Sequence, residues 1–316
     1  MKTHSLFIIL SAFIYSCNGL NDERPVDPVP EIPVATVNTV KTKFPDAEEL
    51  VFKPILESRI WEVKLKSAQH RYTSLVDFGK MWDTFKAIPD SMPTVLDRSL
   101  GKSKFAGGAL SSYSIGTSAY GSKLYRLVYG FQGSNYSLEW SDYNVASQLG
   151  NVILDPSLYR ITTFDIRDIP LVIKDFINAR SQFTFVSAQT WVRLDYSKMY
   201  YVQVKIRKSA GRVDDGGLIF DAEGKIRWFG DGFTQPGVPT VSSNLDPIPE
   251  KIQQHITNSP ELAGFEYQNK IVNELDGQKS YYLKMRYENK GKTEMCEMYF
   301  GHDANLLSKR YFVVLQ

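Results

Sequence analysis

The sequence predicts an α+β fold made of four copies of one small unit, in which a single helix precedes three or four antiparallel strands. One observation is a short alternation of apolar and basic residues that occurs three times. Such alternation places apolar side chains on one face of a strand and basic side chains on the other. A second observation is that a helical apolar pattern precedes each group of strand-like segments, which indicates a repeated structural unit. The alternating stretches are residues 63–66, 204–207 and 283–286, just after Trp61, Tyr201 and Tyr281.

The four helices are predicted from apolar residues spaced three and four apart. In the clearest helix, Asp168 can cap the first turn, and Pro170 suits that turn because its missing N–H is not needed there. The apolar positions of this helix are Ile169, Val172, Ile173, Phe176 and Ile177. The other three helices are predicted around Val37, Val40 and Phe44, around Met92, Val95, Leu96 and Leu100, and around Ile248, Ile252 and Ile256.

The strands are predicted from period-two patterns bounded by turn residues. The second copy is the most degenerate, with clear strands only at 122–131 and 136–143. The third copy has strands at 182–194, 199–207, 217–220 and 226–229, with a turn at 221–225. The fourth copy has strands at 265–274, 280–288, 294–300 and 306–315, with a turn at 301–305.

Several of these segments resemble the PepSY-like family, which has the fold of the bacterial β-lactamase-inhibitor protein. Within that family, the resemblance is to lipoproteins of the Bacteroidetes type. The resemblance rests on the Ile-Pro helix starts at 169–170 and 248–249, the alternating strands at 200–207 and 281–287, and the turn at 220–225. It implies that the helices pack on one face of an antiparallel sheet and leave the other face open. It also implies that units pair into two domains, at 36–155 and 156–316.

The N-terminus predicts export. Residues 1–16 read as a signal peptide, with a positive charge at Lys2 and an apolar run at 6–15 that is too short to span a bilayer. Cys17 follows directly, and this arrangement resembles a bacterial lipoprotein signal, in which the cysteine is lipidated. An ordinary secretory signal cut near Cys17 is the alternative.

Residues 17–35 are predicted to form a flexible, lipid-anchored linker. Residues 18–33 hold four prolines and four acidic residues with few large apolar groups, so they cannot bury enough surface to offset the entropy of ordering. We therefore expect a protein secreted across the inner membrane and held at the outer membrane, facing the periplasm or the cell surface.

The composition excludes some classes of function. The formal net charge is only +2, which gives no general attraction to nucleic acid. The abundant aromatic residues suit a sheet-rich protein with a substantial core. Cys296 alternates with Met298 and Phe300, so we expect a buried and unreactive thiol.

Catalytic motifs are missing from the sequence. No Gly-x-Ser-x-Gly elbow, phosphate-binding glycine loop or His-Glu-x-x-His motif occurs. His70, His255 and His302 lie in different copies and without metal-ligand spacing, so solvated histidines are expected. The sequence therefore predicts no enzymatic activity, no metal and no cofactor.

Two features are candidates for binding a partner. One is the basic face of the repeated strands, which would combine cations with tyrosine anchors: Lys64, Lys66, Lys205, Arg207, Lys284 and Arg286, with Tyr201 and Tyr282. The other is a hairpin loop at 209–217 that carries Asp214 and Asp215. The alternatives are a solvated face and a plain turn.

The predicted function is that of a non-enzymatic envelope lipoprotein. It would bind or modulate another envelope protein, such as a protease or a cell-wall enzyme, through the open sheet face. The alternative is a surface glycan- or nutrient-binding lipoprotein, in which Tyr201 and Tyr282 stack on sugars. Capture of an acidic protein should weaken with salt, whereas sugar stacking should respond little.

Overall fold

A computed structural model describes residues 31–56, 59–89, 92–117, 121, 123–141, 151–208, 211–230, 247–289 and 292–314. The predicted signal peptide at 1–16, the lipidation site at Cys17 and most of the predicted linker at 17–35 lie outside these residues. The described end of that linker already enters the first helix, which begins at Val34.

Each of the four α-helices in the described residues begins directly after a proline. The helices are α1 (Val34–Lys43), α2 (Thr94–Gly101), α3 (Leu171–Asn178) and α4 (Glu250–Thr257). The prolines are Pro33, Pro93, Pro170 and Pro249, and none of them is accompanied by a side-chain cap. Proline fits this position because it presets φ and gives up an N–H that the first turn leaves unpaired.

Asp168 does not cap α3, so that prediction is wrong. Its carboxylate instead accepts a hydrogen bond from the Thr163 hydroxyl and forms an ion pair with Arg59. Asp168 belongs to a short 3₁₀ helix, Ile166–Asp168, that precedes α3, and Asp165 caps this helix by accepting from the backbone N–H of Arg167 at 2.9 Å.

Strands make up most of the described structure. In the first half of the chain they are β1 (Glu48–Leu56), β2 (Ile60–Ser67), β3 (His70–Val76), β4 (Met81–Ala87), β5 (Ala109–Thr117), β6 (Lys123–Phe131), β7 (Ser134–Ser141), β8 (Asn151–Asp155) and β9 (Ser157–Thr163). In the second half they are β10 (Phe183–Arg193), β11 (Lys198–Arg207), β12 (Val213–Phe220), β13 (Ile226–Gly230), β14 (Glu266–Leu275), β15 (Gln278–Asn289), β16 (Lys292–Phe300) and β17 (Leu306–Val314).

These strands form two antiparallel sheets. The large sheet has twelve strands in the order β1-β2-β3-β4-β5-β6-β7-β8-β17-β16-β15-β14. The small sheet has five strands in the order β13-β12-β11-β10-β9. The pairing that joins strands from the two halves of the chain is between β8 and β17, where Val152 lies opposite Val313 and Leu154 opposite Tyr311.

The predicted fold class is therefore wrong. The protein is mostly β, with two large antiparallel sheets, and is not a series of separate helix-plus-strand units with helices packed on a sheet. Strands from both predicted domains, 36–155 and 156–316, lie together in the large sheet. The physical reason is that edge strands leave unpaired N–H and C=O groups, and β8 and β17 satisfy each other's edges across those predicted domains.

The largest core cluster lies on one side of the large sheet. Leu96 of α2 and Ile252 of α4 are fully buried in this cluster. They share it with Leu138 of β7, Met298 of β16 and Tyr311 of β17. Cys296 lies in the same cluster with no exposed surface, and burial raises the pKa of its thiol, as expected for an unreactive cysteine.

The other side of the large sheet packs against the small sheet. One apolar cluster joins Trp191 and Trp228 of the small sheet to Leu307 of β17. The indole N–H of Trp228 donates to the carbonyl of Tyr281 at 3.2 Å. A second cluster joins β1–β3 to β9 and β10, and its buried members are Ile55, Leu56, Ile60, Leu75, Tyr159, Ile161 and Val192. The two sheets therefore pack face to face.

A buried carboxylate lies in this sheet-to-sheet contact. Glu62 of β2 is only 2% exposed. Its Oε2 accepts a hydrogen bond from the Tyr159 hydroxyl at 2.6 Å, and its Oε1 accepts one from the Tyr196 hydroxyl at 2.9 Å. Both donors belong to the small-sheet part of the chain. Burial, followed by the nearby Glu62 charge, raises the pKa of both tyrosines, so both hydroxyls stay protonated as donors.

Removing this carboxylate should weaken the contact between the sheets. Glu62→Ala leaves one buried and one partly buried hydroxyl without their acceptor, so we expect the free energy of unfolding to fall by about 2–4 kcal/mol. Glu62→Gln keeps one carbonyl acceptor, so its free energy of unfolding should fall by a smaller amount. Denaturant titration measures both.

The matched control is Glu288→Ala, because Glu288 is an exposed carboxylate that pairs with Arg286 at the surface. Its loss should stay within about 0.5 kcal/mol. Equal losses for Glu62→Ala and Glu288→Ala would contradict a structural role for the buried group.

Candidate functional site

The strands with basic residues do alternate, and their apolar side chains lie in core clusters that also contain helix residues. Val63 and Leu65 of β2 are buried with Val40 of α1. On β11, the corresponding buried residues are Val204 and Ile206, which share a cluster with Ile173 of α3. On β15 they are Leu283 and Met285, which share the core with Ile252 of α4. The basic side chains therefore lie on the opposite faces of the same strands.

On that opposite face, five of the six predicted cations pair with carboxylates. Lys205 lies directly across from Asp215, with Nζ and Oδ1 2.6 Å apart. Lys284 lies directly across from Glu297, with Nζ and Oε1 3.9 Å apart. The remaining ion pairs are Lys64 with Glu62 at 3.6 Å, Lys66 with Glu49 at 3.7 Å, and Arg286 with Glu288. Arg207 is exposed near the end of β11. The sequence showed the cations within single strands, whereas their carboxylates come mainly from neighbouring strands.

The two predicted tyrosine anchors lie between the sheets. The Tyr201 ring stacks on Trp191, with centroids 5.7 Å apart. The Tyr282 ring contacts Tyr299, with centroids 5.1 Å apart. Both tyrosines are half-buried against the cluster that joins the two sheets. The sheet face is therefore covered, not open, at these positions.

The prediction that Asp214 and Asp215 lie in a loop is also wrong. Asp214 and Asp215 belong to strand β12, not to a loop. Asp214 pairs with Lys208 at 2.9 Å and with Arg212 at 2.6 Å. Hydrogen bonds from these two cations hold the pKa of the Asp214 carboxyl below its usual value. Neither carboxylate projects as a free acidic tip, and the lipidation candidate Cys17 lies outside the described residues.

A cleft of about 800 Å³ lies where the two sheets and α4 meet. We call it the junction cleft. It is formed by five segments: the turn at 132–136, Pro156, the end of β10 with its turn at 193–195, the end of α4 with the following residues at 255–261, and the start of β17 at 306–309. No sequence motif identified it, because its walls are up to about 180 residues apart in the sequence and meet only through the sheet topology.

Local conformations fix the walls of the junction cleft. Gln132 and Gly133 have φ of 49° and 72°. Two successive positive φ values are typical of a tight hairpin turn, and this turn joins β6 to β7. Across the cleft, Asp195 accepts hydrogen bonds from the backbone N–H and the hydroxyl of Ser197 at 2.9 and 2.7 Å. Arg193 donates to the carbonyl of Leu307 and so ties this turn to β17.

The charges in the junction cleft are balanced in number. Arg193 and Lys309 carry positive charge, and Asp195 and Glu261 carry negative charge. Glu261 is 5% exposed. Its Oε1 accepts hydrogen bonds from Lys309 Nζ at 2.9 Å and from the Tyr311 hydroxyl at 2.8 Å. Burial acts to raise the pKa of Glu261, but these two hydrogen bonds outweigh it and hold the pKa below its usual value.

His255 lies in the wall of the junction cleft and is not the solvated histidine that the sequence predicted. Its ring meets Phe300 edge-on, with centroids 5.7 Å apart. Its Nε2 is enclosed and has no hydrogen-bond partner among the described residues. Burial lowers the pKa of His255, and the nearby charge of Lys309 lowers it further, against the opposing charge of Glu261. The neutral ring is therefore the favoured form.

Comparisons with known proteins do not show which family this chain belongs to. No family model matches the chain, and no curated protein matches it. The resemblance to the PepSY-like family therefore stays a prediction. None of the helices in the described part of the chain is long and apolar enough to cross a membrane.

The lowered pKa of His255 should make stability depend on pH. Below its ordinary pKa of about 6.5, the unfolded chain takes up a proton at this position that the folded protein resists. The free energy of unfolding should therefore fall as the pH drops through that value, and level off below the pKa of the folded state. His255→Gln removes this contribution, so its stability should fall less between about pH 7.5 and about pH 5.5.

Gln254→Ala, on the exposed side of the same helix, serves as the control and should keep the pH dependence of the wild type. An NMR titration of the His255 ring locates the pKa directly. A pKa at or above about 6.5 would refute the assignment.

Proposed function

We propose that this protein is a non-catalytic binding protein that takes a glycan, or another neutral polar nutrient, into the junction cleft. The observation that carries the proposal is the cleft itself: about 800 Å³, open to solvent, lined by amide and hydroxyl groups and balanced in charge. Clefts of roughly 300–1,000 Å³ are typical of small-ligand sites.

The polar groups of the junction cleft suit a ligand rich in hydroxyl groups. Gln132, Asn135 and Asn258 are exposed in its wall, and each amide can both donate and accept hydrogen bonds. A sugar hydroxyl has the same dual capacity. Since Lys309 is paired with Glu261, and Arg193 and Asp195 are hydrogen-bonded to Leu307 and Ser197, a neutral ligand fits better than an anion or a cation.

Apolar side chains supply the complementary surface. Pro156, Leu194, Pro260 and Leu306 line the same cleft beside the polar groups. Such groups can cover the C–H faces of a sugar ring while the amides bind its hydroxyls. This assigns sugar contact to residues other than Tyr201 and Tyr282, whose rings pack between the sheets.

The carboxylates of the junction cleft support a binding role over hydrolysis. Glycoside hydrolysis needs a carboxylic acid whose raised pKa keeps it protonated as the proton donor. Here the pKa of Glu261 is lowered by Lys309 and Tyr311 in spite of burial, and that of Asp195 is lowered by the side chain and backbone of Ser197. Both groups are held as carboxylates.

The cellular setting belongs to the proposal as well. Export and lipidation at Cys17 would display the cleft in the cell envelope, where glycans are available. Binding of an envelope protein is the second prediction made from the sequence. The ion pairs on the strand faces give it less support, because five of the six cations already pair with a carboxylate of this chain.

The test is a titration of the purified protein with a panel of neutral oligosaccharides, read by calorimetry. We expect binding that changes little with salt, since a neutral ligand releases no counterions. Asn135→Ala and Asn258→Ala should each weaken binding by about tenfold, the cost of losing one or two hydrogen bonds to the ligand.

Asn178→Ala provides the control, because Asn178 is an exposed residue of α3 outside the junction cleft. It should bind like the wild type. Absence of binding across the panel, together with salt-sensitive capture of one envelope protein, would replace the glycan proposal with the protein-partner prediction.

A further inference from the structure

A second cavity, of about 270 Å³, lies on the side of the large sheet that faces strand β9. We call it the charged chamber. Three arginines, three carboxylates and three aliphatic side chains dominate its wall: Arg126, Arg160, Arg310, Asp83, Glu139, Asp155, Leu124, Ile153 and Leu158. It shares no residue with the junction cleft.

One end of the charged chamber has more positive than negative charge. Asp155 is shared by two guanidinium groups, with Oδ2 2.9 Å from Arg160 Nη2 and 2.8 Å from Arg310 Nε. Arg310 also lies 3.9 Å from Glu297, but that carboxylate is equally close to Lys284. Three cations therefore share two carboxylates, which leaves a net charge of +1 at this end.

The other end has more negative than positive charge. Arg126 lies between two carboxylates, 2.7 Å from Glu139 and 3.9 Å from Asp83. Its guanidinium group packs over the Phe85 ring at 3.9 Å, which fixes its position. One cation for two carboxylates leaves a net charge of −1. The arginine is only 12% exposed, so solvent screens this arrangement weakly.

Apolar side chains line the same chamber. Leu124 of β6, Ile153 of β8 and Leu158 of β9 are half-buried in its wall. The charged chamber thus combines a positive end, a negative end and an aliphatic wall in a volume suited to a small molecule. A ligand that matches all three carries a carboxylate, an ammonium group and an apolar side chain.

We propose that the charged chamber binds a free aliphatic α-amino acid. The α-carboxylate binds Arg160 and Arg310. Together, these two guanidinium groups have more N–H donors than the one carboxylate of Asp155 can accept hydrogen bonds from. The α-ammonium group meets Glu139 and Asp83, and the side chain packs on the aliphatic wall. This site is independent of the junction cleft and of the function proposed for it.

The test is calorimetric titration of the purified protein with L-leucine, N-acetyl-leucine and leucinamide. Each derivative lacks one of the two charges. We expect L-leucine to bind and each derivative to bind at least about tenfold more weakly, because the chamber charge it leaves unmatched is no longer compensated. No binding of L-leucine at about 10 mM, or equal binding of all three compounds, would overturn the proposal.

Two substitutions test the two ends separately. Asp83→Asn changes a half-exposed carboxylate at the negative end and should weaken the binding of L-leucine at least about fivefold. The binding of N-acetyl-leucine should not change, because this compound has no ammonium group. Arg310→Gln removes a guanidinium group at the positive end and should weaken both L-leucine and N-acetyl-leucine. Asp276→Asn, an exposed carboxylate in the turn between β14 and β15, is the matched control and should change neither.

Thermal unfolding of each variant shows whether it is folded. If Arg310→Gln is unfolded, Asp83→Asn alone decides the proposal, since its side chain is 48% exposed. An Asp83→Asn protein that is folded and binds L-leucine like the wild type contradicts the assignment of the negative end.

Discussion

The face-to-face packing of the two sheets is the constraint on which the rest of the structure depends. Trp191 and Trp228 of the small sheet meet Leu307 of the large sheet, and burial of such large side chains is the main favourable term in this contact. The same contact sets the positions of strand β9 and of the turn after β10. Since β9 forms one wall of the charged chamber and that turn forms one wall of the junction cleft, both cavities exist only while the sheets stay together.

Glu62 gives this apolar contact a defined geometry. Apolar surfaces can slide with little loss, but a buried carboxylate must find its donors, and those donors are Tyr159 and Tyr196. A shifted arrangement of the sheets would leave the buried carboxylate without these two hydrogen-bond donors, which is costly. Tyr196 directly follows Asp195 of the junction cleft, and Tyr159 precedes Arg160 of the charged chamber. The polar contact between the sheets therefore lies next to residues of both cavities.

The sequence predicted the features that depend on neighbouring residues and missed those that depend on residues far apart in the chain. The helix starts at 169–170 and 248–249 and the turns at 221–225 and 301–305 depend on nearby residues, and the structure has them. The pairing of β8 with β17 depends on residues about 160 positions apart, and no local pattern encodes it. Alternation showed which face of β11 is apolar, but not that the other face is covered by a second sheet. Cross-strand register likewise supplied Asp215 and Glu297, which neutralise cations that looked like a basic surface.

The two cavities show why the sum of charges is a poor guide to a ligand. Each is lined by equal numbers of basic and acidic side chains, so both are neutral overall. In the junction cleft, Lys309 is matched to Glu261 at 2.9 Å, Asp195 accepts hydrogen bonds from Ser197, and the exposed neutral groups are amides and hydroxyls. In the charged chamber, Asp155 is shared by two arginines while Arg126 is shared by two carboxylates, so positive charge is in excess around Asp155 and negative charge around Arg126. A neutral polar molecule is complementary to the first arrangement and a zwitterion to the second, because a ligand responds to the local field and not to the net charge of the wall.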